Sequence, residues 1–103
     1  MKTAIIGSGS WGSALGELLV ENGHETIIYG RDPAQIEDLN KNHKNSRYFP
    51  ADITFDNALT GTTDLEKAVA GKDVIVVSVI SEEIRPVLLQ LKSFLKKHPI
   101  LFN

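Results

Sequence analysis

Apolar and polar residues fall in blocks along this chain, and the length and spacing of each block predict its structure. Residues 3–6 (Thr-Ala-Ile-Ile), with Met1 and Lys2 before them, form a short apolar run stopped by Gly7, which predicts a buried strand. From Ser10 to Glu21 the residues Trp11, Ala14, Leu15, Leu18 and Leu19 recur at helical spacing, and Asn22-Gly23 supplies a stop. Thr26–Tyr29 reads as a second strand ended by Gly30. Asp32-Pro33-Ala34-Gln35 places a capping acid, a proline at the first helical position and a glutamine at the third, opening a helix to about Asn40. Residues 41–57 are polar apart from the patch Tyr48-Phe49-Pro50, and a short third strand is predicted near Leu59–Thr62. Thr63-Asp64-Leu65-Glu66 reads as a capping box for a short helix ending at Gly71. Asp73–Val79 is a near-continuous β-branched run of the kind buried on both faces. Ser81 caps a predicted helix over Glu82–Lys97, with Pro86 in its early turns, and Ile100-Leu101-Phe102 begins a fifth strand.

Strands alternating with helices predict one α/β domain: a Rossmann-type, doubly wound parallel sheet with strand order 3-2-1-4-5. In such a sheet the ligand crevice opens between strands one and four. The chain stops at Asn103, as the fifth strand emerges, so the expected sheet is a truncated one.

The first turn carries the candidate chemistry. Gly7, Gly9 and Gly12 satisfy G-x-G-x-x-G, a weak pattern alone but a specific one between a strand and a helix. Gly7 makes the tight turn, Gly9 lets the backbone approach a pyrophosphate, and Gly12 lets the helix pack against the sheet, a close face that Gly16 extends. Ser10 and the amides near Trp11 are the natural phosphate donors, because helix-start N–H groups lack partners and the helix dipole favours an anion there. Trp11 itself either packs over a cofactor or staples the helix start to the next loop. Which nucleotide is held is read at the end of the second strand, here Tyr29-Gly30-Arg31-Asp32. An acid there suits the ribose 2′-hydroxyl of NAD, and an arginine suits the 2′-phosphate of NADP. Asp32 is committed to capping, so Arg31 favours NADP, or dual use, over strict NAD.

Composition narrows the rest. With 103 residues the chain fits one small domain, and 42% hydrophobic with 23% charged residues is ordinary for a soluble globular protein. A net charge of -2 gives no electrostatic reason for nucleic acid or an anionic membrane as partner. There are no cysteines, which excludes disulfides and thiolate catalysis, and the histidines at 24, 43 and 98 are too scattered for a metal site. No apolar run approaches the ~18 residues of a membrane helix, and no leader is recognisable, so a cytoplasmic protein is expected.

On these residues the chain resembles the N-terminal domain of bacterial NAD(P)-dependent glycerol-3-phosphate dehydrogenases. The likeness rests on Gly7–Leu15, Asn22-Gly23-His24, Tyr29-Gly30-Arg31-Asp32, Thr62–Leu65 and Asp73–Val79, and it covers essentially the whole chain. It implies reversible reduction of dihydroxyacetone phosphate to glycerol 3-phosphate, a phospholipid precursor, and cofactor contacts from Ser10, Trp11, Arg31 and Tyr48. Ile80 departs from the family, which more often has proline before the serine. The family's reactive lysine lies just past the fifth strand, and its other catalytic residues lie in a helical second domain. No catalytic residue is therefore assigned within residues 1–103, which read as a cofactor-binding fragment that is silent alone. A stand-alone nucleotide sensor, or the cofactor domain of a ketopantoate-reductase-like or 6-phosphogluconate-type dehydrogenase, are the other readings. Surfaces left uncovered by truncation predict a homo-oligomer or other self-association.

Overall fold

The computed structural model describes residues 1–78 and 100–102. Within them lie β1 (Lys2–Ile6), α1 (Ser10–Glu21), β2 (Glu25–Tyr29), α2 (Pro33–Asn42), β3 (Thr60–Thr62), α3 (Leu65–Val69), β4 (Val74–Val77) and β5 (Ile100–Phe102). The expected helix over Glu82–Lys97, with Ser81 and Pro86, lies outside the described residues, as do Ile80 and His98. The strands form a parallel α/β sheet of the Rossmann type, ordered β3-β2-β1-β4-β5. Among the described residues no helix is long and apolar enough to cross a membrane.

The register explains the core. Ile5 stands opposite Ile28 on one side and Val76 on the other, and all three point to the face carrying Leu39, Phe55 and Leu59. One residue along each strand the pleat reverses, so Ala4, Ile6, Ile75 and Val77 point to the face covered by Leu65, Ala68 and Val69 of α3. This is why the strand sequences are continuous apolar runs rather than alternating ones. Ile5, Ile6, Ile28 and Ile75 are wholly buried, each worth about 1.5–3 kcal/mol of transfer free energy. Gly16 sits where α1 crosses the sheet, and a Cβ there would lie 3.0 Å from Leu59 Cδ1 and 3.2 Å from Ile28 Cδ1.

Two helix starts differ in detail from the sequence reading. Asp32 caps α2 as expected, its Oδ1 accepting the Ala34 amide at 3.0 Å. Gln35 does not close a capping box, because its Oε1 accepts from the Ser8 hydroxyl at 2.7 Å instead. α3 is capped by Asp64, which accepts the Lys67 amide at 3.2 Å, rather than by Thr63. The Thr62 hydroxyl accepts the Asp64 amide and so shifts the cap by one residue. At the far end of α1, Asn22 and Gly23 (φ 85°) close the helix, with His24 N–H donating back to the Leu19 carbonyl.

Candidate functional site: a glycine loop at the end of β1

Beyond Ile6 the chain turns sharply into α1. Gly7 has φ 132°, a conformation that side chains rarely adopt, and its amide continues the ladder to the Tyr29 carbonyl at 2.9 Å. A Cβ on Gly12 would collide with the Gly7 carbonyl oxygen and approach Ile5 Cγ2 at 3.4 Å. Gly12 thus allows the helix start to rest directly on the turn. Gly9 is different: its φ of -74° suits any residue, and among the described residues no atom lies within 4 Å of where its Cβ would be. Packing among the described residues does not require glycine there. The requirement fits a ligand approaching from outside.

Gly9 is also the N-cap of α1, with no side-chain cap and no acid in the first turn. The Ser13 amide is the first to donate within the helix, to the Gly9 carbonyl at 3.0 Å. The amides of Ser10, Trp11 and Gly12 therefore have no intrahelical acceptor, and the positive end of the helix dipole is not neutralised by the helix's own residues. This donor set fits a pyrophosphate. Trp11 is 56% exposed beside it, so the tryptophan staples nothing within the described residues tightly enough to bury it.

The loop is held from beneath by Gln35, Asn45 and Ser13, to none of which the sequence reading gave this role. The Ser8 carbonyl accepts from Gln35 Nε2 at 2.9 Å, from Asn45 Nδ2 at 3.0 Å and from the Ser13 hydroxyl at 3.4 Å. Asn45 Nδ2 also donates to Ser13 Oγ at 2.9 Å, and Asn45 Oδ1 accepts from Gln35 Nε2 at 3.0 Å. Asn45 and Ser13 are buried, so these bonds are shielded from water. Gly30 completes the seat, since a Cβ on it would stand 2.5 Å from Ser8 Oγ. Only the helix-capping context of Gln35 was visible as a local pattern. The contacts that define its role run from residue 35 to residues 8 and 45.

At the end of β2, Arg31 is exposed and follows Gly30 directly. Asp32 caps α2 and also pairs with Arg47, NH1 to Oδ2 at 3.2 Å. The aromatic patch divides. Phe49 packs inward, edge-on to Phe55 with ring centroids 5.2 Å apart, while Tyr48 is 50% exposed. Ser78, at the end of β4, donates its amide to the Ile6 carbonyl at 2.8 Å and so lies alongside the turn. His24 Nδ1 lies 3.2 Å from the N-terminal amine, at the opposite end of the strands, and His43 caps α2 in a left-handed conformation (φ 57°). No group of three metal-ligating side chains occurs among the described residues.

Comparison with known proteins agrees with this geometry. A family model for the NAD-dependent glycerol-3-phosphate dehydrogenase N-terminus matches residues 2–103. A glycerol-3-phosphate dehydrogenase (NAD(P)+) of Limosilactobacillus fermentum is 43% identical over 94 residues, 91% of this chain and 28% of that protein. Its counterpart in Enterococcus faecalis is 38% identical over 102 residues, 99% of this chain and 30% of that protein. Among solved structures, glycerol-3-phosphate dehydrogenase from Coxiella burnetii superposes with a TM-score of 0.91 at 25% identity, covering 99% of this chain and 31% of that one. A 2-dehydropantoate 2-reductase from Enterococcus faecalis shares the fold, with a TM-score of 0.73 at 22% identity. The chain spans less than a third of the length of the dehydrogenases it matches. The glycine loop, the parallel sheet that carries it and the match along residues 2–103 together place this chain in the family of NAD-dependent glycerol-3-phosphate dehydrogenase N-terminal domains.

Proposed function

We propose that residues 1–103 form the cofactor domain of a glycerol-3-phosphate dehydrogenase that works in the cytoplasm and reduces dihydroxyacetone phosphate. The dinucleotide lies across the crevice between β1 and β4, its pyrophosphate on the amides of Ser10, Trp11 and Gly12, with Gly7 and Gly9 shaping the approach. Trp11 and Tyr48 flank it, and Arg31 takes the 2′-phosphate, so that NADPH binds more tightly than NADH. Bound there, the cofactor supplies the hydride through its nicotinamide ring. Reduction also needs a polarised carbonyl and a proton donor, and these residues supply no such pair. The chain alone then binds cofactor without turnover, the catalytic groups belonging to the larger remainder of the relatives' length.

The observation that supports this reading most directly is the open space over Gly9, a glycine that the packing of the described residues does not require. Trp11 is the only tryptophan, so its emission reports on the loop alone. Titration with NADPH and with NADH, followed by Trp11 emission and by calorimetry, is expected to saturate, tighter for NADPH. The substitution Gly9→Ser places a favourable N-cap residue in that space. It is expected to keep stability within about 1 kcal/mol of wild type and to abolish binding. Undiminished binding by Gly9→Ser would remove the cradle from the account.

A further inference from the structure

We propose that Arg47 is a specificity residue for the cofactor's 2′-phosphate, acting through Asp32. This rests on the function proposed above and deepens it. An unpaired carboxylate at the end of β2 would accept the ribose hydroxyl of NAD and repel the doubly charged phosphate of NADP. Here neither oxygen of Asp32 is uncommitted. Oδ1 accepts the Ala34 amide at 3.0 Å, and Oδ2 accepts from Arg47 NH1 at 3.2 Å. Arg47 therefore partly offsets the charge of the acid beside Arg31 and shares the oxygen that a ribose hydroxyl would use.

Arg47 is exposed, but the backbone that carries it is not loose. Asn45 is buried under the glycine loop. Ser46 is held by Asp38, whose Oδ2 accepts its amide at 3.1 Å and its hydroxyl at 3.0 Å. The Tyr48 and Phe49 amides both donate to the Asn45 carbonyl, closing a turn around Arg47, and Phe49 is anchored on Phe55. The guanidinium thus stands on a built ledge facing the cap of α2.

The test measures NADPH and NADH dissociation constants for wild type, Arg47→Ala, Asp32→Asn and the double variant. Asn preserves the N-cap, so Asp32→Asn folds. Arg47→Ala is expected to weaken NADPH by about three- to fivefold, the scale of a partly exposed ion pair, and to leave NADH within about twofold. Arg47→Lys retains the NADPH preference. In the Asp32→Asn background, loss of Arg47 no longer matters. Equal weakening of both dinucleotides by Arg47→Ala overturns the proposal. An undiminished loss in the Asp32→Asn background also overturns it, because Arg47 would then act on the phosphate directly. Failure of wild type to bind either dinucleotide overturns the cofactor reading itself, and this inference with it.

Discussion

Gly9 and Gly12 lie three residues apart, yet they do opposite jobs. Gly12→Ala drives a methyl group into the Gly7 carbonyl, and α1 can escape only by lifting off the turn. The expected cost is about 1–3 kcal/mol, read from urea denaturation, whereas Gly9→Ser leaves stability almost unchanged. The spacing of the glycines anticipated the close packing at Gly12, because it follows from a backbone turn between strand and helix. Gly30 shows where such reading stops. It appeared as the end of a strand and as part of the Tyr29–Asp32 run, but it is a glycine because Ser8 stands against it, and that neighbour is 22 residues away in the chain. Asn45 belongs to the same class. Asn45→Ala strips the Ser8 carbonyl and Ser13 hydroxyl of a buried donor. It is expected to lower stability by about 1–3 kcal/mol in thermal unfolding, and to weaken cofactor binding from beneath the loop.

At the scale of elements, the core strands were legible and the segment between α2 and β3 was not. β4 is an unbroken apolar run and β1 and β2 each carry a shorter one, so the pattern found them within a residue or two. Residues 41–57 read as a polar loop with one aromatic patch, Tyr48-Phe49-Pro50, yet much of their order comes from polar side chains. The Lys44 ammonium donates to the Ala51 carbonyl, to the Ile53 carbonyl at 3.5 Å and to Thr54 Oγ1 at 3.1 Å. Asp38 fixes the other end, and the bonds from Asn42 Nδ2 and then the Ser46 backbone N–H hold its carboxyl below the usual carboxylate range. Its depressed value means that the folded state binds this proton less readily than the unfolded chain does. The stabilisation is present above about pH 4 and is lost as pH falls through the depressed value. Thermal unfolding followed on the acid side is therefore expected to show a shallower loss of stability in Asp38→Asn than in wild type.

For the molecule as a whole, the exposed edge at β3 is the point to watch. Gly61 turns its amide and carbonyl away from β2, and the Asn40 side chain takes both, accepting at 2.8 Å and donating at 3.0 Å. One carboxamide stands in for the next strand. Asn40→Ala uncovers that pair and is expected to raise self-association in sedimentation velocity, with no change in dinucleotide preference. A matching rise in association is not expected from Glu37→Gln, which removes an exposed pair with Lys41 but leaves the Asn40 side chain on Gly61.

The bonds among Ser8, Ser13, Gln35 and Asn45 also bear on how the chain reaches its working form. They tie the turn after β1 to α2 and to the segment beyond it. A nascent chain that has made only β1, α1 and β2 therefore possesses every glycine of the loop but not its seat. Competence to hold a nucleotide should emerge only once α2 and the segment through Asn45 are in place, so that cofactor capture reports assembly of this seat rather than formation of the first turn.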